Sequence, residues 1–238
     1  MQKVIAVAAF LLFACISTIT AASEATVKAA FQKKIPEITV ESVTKIAVPG
    51  IYEIYGNGQI FYADEDVNYV FAGELHQVDT KTNLTQERMN KLTAIKFEQL
   101  PLNLAVKKVK GKGTRKFAYF GDPNCGYCKR FEQGLAKIDD VTIYVFLYPV
   151  LGPDSIEKSK SIWCSKDRIK AWDDQLVNNI APTAPSTCDT SSIEKTLAFG
   201  KQRNITGTPT LFFADGSRVP GAIPVEQVEQ RLIAAKAK

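Results

Sequence analysis

The chain has 238 residues, enough for one large domain or two smaller ones. Its hydrophobic content of 45% and charged content of 23% are typical of a globular protein. The net charge of +5 is mild and evenly spread. It argues against a nucleic-acid-binding protein and favours the simpler interpretation that the charge keeps the protein soluble.

The first 22 residues have the pattern of a secretory signal peptide. Lys3 supplies the positive start, and residues 4–16 form an apolar run too short to span a bilayer. Small residues at Thr20-Ala21-Ala22 suit cleavage before Ser23. Cys15 lies within the apolar run in a poor context for lipid attachment, so we expect it to be removed with the leader. We expect an exported protein without stable membrane insertion.

Residues 23–82 are predicted to form a small module of one helix and antiparallel strands. Ser23 is suited to cap a short helix that carries Val27 and Phe31 on one face. Alternating side chains around Gly56-Asn57-Gly58 predict a β-hairpin. So small a module buries little apolar surface and leaves strand edges open, which favours docking on the second domain or pairing with a second copy. Its aromatic residues fit a substrate cleft or a core equally well: Tyr52, Tyr55, Tyr62 and Phe71.

A connecting segment, residues 83–106, precedes the second domain. Apolar residues at roughly helical spacing predict a linker helix over residues 83–100, capped by Asn83 or Thr85. The basic stretch at residues 107–116 contains two glycines and predicts a solvated loop.

From about residue 115 onward the predicted elements alternate between strand and helix. A strand, a helix and a second strand in succession predict a parallel pair joined by a helical crossover. A long polar region of helical pattern, a hairpin and a closing helix follow. The predicted elements are strand 116–120, helix 128–137, strand 141–147, a helical insert over about 154–200, strand 210–214, strand 218–220 and helix 225–236.

Cys125 and Cys128 lie at the predicted junction of a strand with a helix. Unpaired N–H groups and the helix dipole stabilise a thiolate at a helix N-terminus, so we expect Cys125 to have a lowered pKa and to act as the nucleophile. Cys128, one turn further on, is expected to be the buried resolving partner. Gly126 and Tyr127 are expected to leave the helix N-terminus open and to tune that pKa.

A C-x-x-C motif alone is also compatible with a zinc site or a structural disulfide. Thr208-Pro209, directly before a predicted strand, favours the redox interpretation. X-Pro bonds are the common place for a cis peptide, and in thioredoxin-like folds a cis proline packs against the C-x-x-C motif. Thr208 and Pro209 are then expected to hold a substrate strand by backbone pairing. Zinc bound with Cys164 and Cys188 is opposed by their wide spacing, and we expect no metal and no cofactor.

Further motifs are spread over the second half of the chain. With them, the sequence resembles the bacterial periplasmic DsbC/DsbG family of thiol:disulfide interchange proteins. Gly126-Tyr127 favours the DsbC branch, whereas Asp122-Pro123-Asn124 is more like some DsbG-type sequences. The motifs are Cys125-Gly126-Tyr127-Cys128, Ile162-Trp163-Cys164-Ser165-Lys166-Asp167, Asp173-Asp174, Ala184-Pro185-Ser186-Thr187-Cys188-Asp189, Gly207-Thr208-Pro209 and Val219-Pro220-Gly221.

This resemblance implies an α+β N-terminal dimerisation domain over residues 23–82, a linker helix and joint over residues 83–106, and an α/β thioredoxin-like catalytic domain with a helical insertion over residues 107–238. It implies a V-shaped homodimer in the periplasm that holds misfolded, disulfide-containing exported proteins between its arms. It also implies a structural disulfide between Cys164 and Cys188 and an inner-membrane electron donor of the DsbD type.

We therefore expect the protein to isomerise and reduce wrong disulfides through its dithiol, with chaperone-like substrate binding. The alternatives are a DsbG-like chaperone and thiol reductase, and a DsbA-like oxidase. Asp122 is compatible either with accepting a proton near Cys128 or with a turn or cap before the helix. His76 is expected to be an ordinary surface or half-buried residue.

Overall fold

The computed structural model describes residues 23–236, which form two compact units. The first unit ends at Gly73 and the second begins at Glu74, whereas the sequence places the end of the N-terminal domain at residue 82. The predicted signal peptide, including Cys15, lies outside the described residues. Within them, no helix combines the length and the apolar character needed to cross a bilayer.

The N-terminal unit packs one helix on a four-stranded antiparallel sheet. The hydroxyl of Ser23 accepts a hydrogen bond from the N–H of Thr26 and caps the helix, as predicted. Val27 and Phe31 are the buried residues of that helix. The predicted hairpin at Gly56-Asn57-Gly58 is confirmed. The elements are α1 (Glu24–Lys34), β1 (Val40–Lys45), β2 (Ile51–Gly56), β3 (Gln59–Asp64) and β4 (Val70–Ala72), with the strands adjacent in chain order.

Three of the four aromatic residues proposed for a cleft belong to the interior of this unit. Tyr52 and Tyr62 are each 1% exposed, and Tyr55 is also buried. Phe71 differs, because it lies on β4, the last strand of the sheet, and is 49% exposed. The cleft interpretation is therefore wrong for the three tyrosines, because all three are buried. Tyr52 lies in the apolar cluster against α1, and Tyr55 and Tyr62 are on the opposite face of the sheet.

The second unit begins with two short strands, β5 (His76–Gln77) and β6 (Thr82–Asn83), and a helix, α2 (Leu84–Leu92). Asn83 caps α2 by accepting from the N–H of Gln86 at 2.9 Å. The predicted linker helix over residues 83–100 is too long. The apolar residues beyond Leu92 are instead buried in the core of this unit, with a 3-10 turn at Phe97–Gln99.

The basic stretch predicted as a loop contains a strand, β7 (Val106–Lys110), paired antiparallel with β9 (Val141–Leu147). The loop prediction for residues 107–116 is therefore wrong over its first part. β7 is an edge strand, and lysines on an edge discourage pairing with other chains. The basic composition of this stretch predicted exposure to solvent, and only one side of the strand is exposed.

The five-stranded sheet of this unit has the order β11-β10-β8-β9-β7. β8 and β9 are parallel and are joined through α3, as predicted, while β10 is antiparallel to both β8 and β11. Side chains on the two faces of β8 enter two separate apolar clusters, so this central strand is buried on both sides. The remaining elements are β8 (Arg115–Gly121), α3 (Gly126–Leu135), α4 (Pro153–Cys164), α5 (Arg168–Leu176), α6 (Ser191–Gln202), β10 (Thr210–Phe213), β11 (Arg218–Pro220) and α7 (Val225–Lys236).

Candidate active site at the start of helix α3

Cys125 occupies the N-cap of α3, directly after the loop that leaves β8. Its backbone N–H donates to the carbonyl of Asp122 at 3.1 Å, and its carbonyl accepts from the N–H of Lys129 at 3.0 Å. The sulfur accepts from the N–H of Cys128 at 3.4 Å. A sulfur in this position replaces the oxygen of an ordinary capping residue, so the helix N–H groups point at the atom that carries the thiolate charge.

The pKa of Cys125 is lowered from 9.0 to about 5. The main cause is a hydrogen bond from the Cys128 thiol to the Cys125 thiolate. Further hydrogen bonds from the side chain of Thr208 and from the N–H groups of Cys128 and Tyr127 act in the same direction, against the opposing effect of burial. Cys125 is therefore a thiolate at neutral pH, which is the form that attacks disulfides.

Cys128 has the opposite environment. It is 0% exposed and lies in the apolar cluster beneath α3. Its pKa is raised far above 9.0, first by its hydrogen bond to the Cys125 thiolate and then by burial. The two sulfurs thus differ in both access and charge, with one reactive thiolate and one shielded thiol.

Thr208 and Pro209 lie directly against the dithiol. The Cys125 sulfur lies 3.2 Å from the carbonyl oxygen of Thr208, and the Thr208–Pro209 peptide bond is cis. The Pro209 carbonyl accepts from the N–H of Gly221 at 2.8 Å, which ties the residue before β10 to the residue after β11. Thr206 and Gly207, just before them, are exposed. The backbone at this point is open to an incoming strand.

Gly126 and Tyr127 lie on the solvent side of the motif. Tyr127 is 64% exposed, and the Arg130 guanidinium lies 5.4 Å from the centre of its ring. A Cβ added at Gly126 would meet nothing within 4 Å. The N-terminus of α3 is consequently accessible to a large substrate.

Asp122 is fully buried, and its carboxylate is surrounded by neutral donors. One oxygen accepts from the Asn124 N–H and the Ser155 hydroxyl, both at 2.8 Å. The other accepts from the N–H groups of Val150 and Leu151 at 2.8 and 3.0 Å. These bonds fasten the loops after β8 and β9 to each other and to α4. The contacts favour a holding role over proton acceptance.

Asn124 extends this anchorage onto α4. Its amide donates to Asp154 at 2.7 Å and to the hydroxyl of Ser155 at 3.0 Å, and its carbonyl oxygen accepts from Lys158 at 2.8 Å. No local sequence pattern predicts these partners, because they lie about thirty residues away in the chain. Only the parallel pairing of β8 and β9 brings the two loops together.

A second buried acid, Glu132, lies one turn after Cys128 on α3 and was not singled out by sequence reasoning. It accepts from the Tyr119 hydroxyl and from the Trp172 indole N–H, and Lys108 lies 3.3 Å from its other oxygen. Burial and then the Glu132 charge raise the pKa of Tyr119 well above its usual value. Burial alone would lower the pKa of Lys108, but Glu132 and Asp173 reverse that and raise it. This network ties α3 to the sheet and to the helical insert.

Cys164 and Cys188 are joined in a disulfide that closes the helical insert. The neighbouring Trp163 is buried and donates through its indole N–H to the Asp189 carbonyl at 3.1 Å. The disulfide uses two of the four sulfurs of a zinc site built from Cys125, Cys128, Cys164 and Cys188, which removes that zinc alternative.

His76 is exposed and contacts Glu74 at 3.1 Å, as expected for a surface residue.

Comparison with known proteins agrees with this geometry. Residues 18–86 match a family described as the disulfide bond isomerase protein N-terminal domain, and residues 102–236 match a thioredoxin-like domain. The "Probable thiol:disulfide interchange protein DsbC" of Bordetella pertussis is 42% identical over 206 residues, covering 87% of this chain and 73% of the relative. The "Thiol:disulfide interchange protein DsbC" of Escherichia coli K12 is 27% identical over 232 residues and 94% of each chain.

Among solved structures, a disulfide interchange protein from Neisseria gonorrhoeae is similar, with a TM-score of 0.55 and 38% sequence identity. The match covers 58% of this chain and 99% of that chain. The resemblance inferred from the motifs is therefore confirmed at the level of family and fold, with an N-terminal isomerase-type domain before a thioredoxin-like one. The chain belongs to the DsbC family of thiol:disulfide interchange proteins.

Proposed function

We propose that this protein isomerises and reduces wrong disulfides in exported proteins, with Cys125 as the nucleophile and Cys128 as the resolving thiol. The observation that carries the proposal is the asymmetry of the pair: an N-cap thiolate with a pKa of about 5 beside a buried thiol with a raised pKa. Thr208 and Pro209 support it, because they present backbone next to the attacking sulfur.

The reaction follows from these positions. The Cys125 thiolate attacks one sulfur of a substrate disulfide, forms a mixed disulfide and releases the other substrate sulfur as a thiolate. In isomerisation that thiolate attacks elsewhere in the substrate and Cys125 finally leaves. In reduction Cys128 loses its proton and attacks the Cys125 sulfur, which gives a Cys125–Cys128 disulfide and a second free substrate thiolate. A low pKa makes Cys125 a good leaving group in the first route.

The reduction route leaves an oxidised dithiol that an electron donor must restore. We propose a periplasmic location and an inner-membrane donor of the DsbD type. Membership of the DsbC family supports both proposals.

We further propose that the N-terminal unit makes the protein a homodimer through β4. This strand is the last of its sheet, and Val70, Phe71 and the preceding Tyr69 are 37%, 49% and 79% exposed. An apolar edge strand of this kind is a site for pairing with another chain. The match of this region to the isomerase N-terminal domain family also supports a homodimer.

The test is refolding of a protein with scrambled multiple disulfides by the mature protein, Cys125→Ser, Cys128→Ser or no addition. Isomerisation predicts recovery with the wild type, none with Cys125→Ser, and partial recovery with Cys128→Ser, because escape by the substrate thiolate does not need Cys128. Rapid oxidation of a reduced substrate without recovery would favour a DsbA-like oxidase. Suppressed aggregation that survives Cys125→Ser, without recovery, would favour a DsbG-like chaperone.

A further inference from the structure

A narrow apolar groove of about 230 Å³ runs along α3, away from the dithiol. One wall is formed by Phe131, Gly134 and Leu135 of α3, and the other by residues 223–225 before and at the start of α7. Small-molecule sites usually begin at about 300 Å³. The groove is therefore of a size for one apolar side chain rather than for a cofactor.

Both walls of the groove lead back to the proposed active site. The helical wall begins at Cys125, the N-cap of α3. The opposite wall follows Gly221, whose N–H donates to the carbonyl of Pro209 at 2.8 Å. Arg130 lines the groove and also lies over the ring of the exposed Tyr127. A chain bound at Cys125 can thus continue toward the groove past Tyr127 and Arg130.

Gly134 supports a binding role for this groove. Glycine is the poorest helix former after proline, and Gly134 is the second-last residue of α3. Its φ is not positive. An added Cβ would meet only the Cβ of Val225, at 3.8 Å, which is an ordinary contact. Neither the backbone nor the packing requires glycine here, and its effect is to deepen the groove.

We propose that the groove binds an apolar side chain of the substrate, about four residues from the cysteine that is joined to Cys125. The position follows from geometry. Nine helical residues from Cys125 to Gly134 span about 13 Å, and an extended chain covers that distance in about four residues. The inference rests on the proposed function, because it assumes a mixed disulfide at Cys125.

The experiment uses the full mature protein carrying Cys128→Ser, which cannot resolve the adduct. It is mixed with homodisulfides of short peptides that contain one cysteine and either leucine or serine four residues before or after it. The Cys125 thiolate attacks one peptide sulfur, a Cys125–peptide disulfide forms, and the second peptide leaves as a thiolate. The equilibrium amount of adduct is measured by mass spectrometry.

For one of the two peptide directions, leucine is expected to favour the adduct about tenfold over serine, as expected for burial of one leucine side chain. Gly134→Val fills the groove and is expected to reduce this ratio to less than about twofold. Gly134→Ala, which the structure accommodates, is expected to give an intermediate ratio. The matched control is Gln133→Val, which adds the same side chain at the exposed neighbouring position and is expected to keep the full ratio.

Two failures are distinguishable. Equal adduct with leucine and serine peptides in both directions, or equal ratios in Gly134→Val and Gln133→Val, would overturn the groove assignment and leave the proposed function standing. Absence of adduct with every peptide would overturn the proposed function together with the groove. Alkylation of Cys125 by a small reagent in each variant shows whether the nucleophile itself is unchanged.

Discussion

The sulfur of Cys125 and the carbonyl oxygen of Thr208 are 3.2 Å apart, although 83 residues separate them in the chain. When Cys125 is protonated, its thiol donates to this carbonyl. When it is a thiolate, a hydrogen bond with the Thr208 side chain stabilises the charge and lowers the pKa of Cys125. The residue before the cis proline therefore contacts the nucleophile with both backbone and side chain. It links the acidity of the thiol to the place where we propose that substrate binds.

Thr208→Val tests this link, because it removes the hydroxyl and keeps the shape and the backbone. We expect the pKa of Cys125 to rise. Loss of a hydrogen bond to a charged group, about 1.5 kcal/mol, should slow alkylation of Cys125 at pH 5 about sevenfold and leave the rate at pH 8 nearly unchanged. The measurement is the pH dependence of alkylation of the reduced protein. An unchanged profile would show that the threonine side chain does not act on the thiolate.

The lowered pKa of Cys125 also predicts how the stability of the reduced protein depends on pH. A group whose pKa is depressed by folding contributes stability that is complete above its unfolded value and is lost as pH falls through its folded value. With values of 9.0 and about 5, the reduced wild type should gain stability over Cys125→Ser as pH rises between these limits. Urea unfolding at several pH values, with Cys128 reduced in both proteins, measures the difference. A difference independent of pH would contradict the thiolate assignment.

Asp122→Asn distinguishes a holding role from proton acceptance. The amide nitrogen would face backbone N–H groups or the Ser155 hydroxyl where the carboxylate now accepts, leaving buried donors unpaired. We expect a loss of roughly 2–3 kcal/mol in the free energy of unfolding. Denaturation gives the stability, and the pH profile of mixed-disulfide resolution by Cys128 gives the chemistry. Full stability with a shifted resolution profile would instead favour the proton-acceptor interpretation.

Removal of the disulfide by the double change Cys164→Ala and Cys188→Ala should lower the stability of the second unit. The bond closes a loop with a sequence separation of 24, and constraint of the unfolded chain by such a loop is worth about 3 kcal/mol. Chemical denaturation measures the loss. Because the two bonded cysteines lie in the insert and Cys125 lies at α3, alkylation of Cys125 should keep its pH profile. A changed profile would give this disulfide a redox role.

Phe71→Asp tests the proposed dimer. A charge on the exposed edge strand β4 should prevent pairing and shift the protein to a monomer in sedimentation at micromolar concentration. Val48→Asp, at another exposed apolar position of the same unit, is the matched control and should remain a dimer. We expect the monomer to keep the alkylation rate of Cys125 while losing recovery of scrambled substrate. A dimeric Phe71→Asp protein would move the interface away from β4.

Several features followed from the sequence alone because they depend on local patterns. Ser23 caps α1, the Gly56-Asn57-Gly58 turn joins two strands, and Cys125 begins α3 after a buried strand. Each depends on the spacing of apolar residues, or on a capping or turn residue, within a short stretch of the chain. The C-x-x-C motif followed by Thr208-Pro209 indicated a redox dithiol, and the further motifs of the second half indicated the family.

Other features were decided by the tertiary structure. Ile95 follows Leu92 at helical spacing, but it is buried with Phe97 in an apolar cluster of the second unit, and α2 ends at Leu92. Three of the four donors to Asp122 and the partners of Glu132 come from elements far apart in the chain, so no local pattern predicts them. The sequence alone predicted Cys125 as the thiolate, since the N–H groups at a helix N-terminus lower the pKa of a cysteine. The tertiary structure decided what surrounds it, since burial and donor geometry exist only after β8, β9 and α4 have packed.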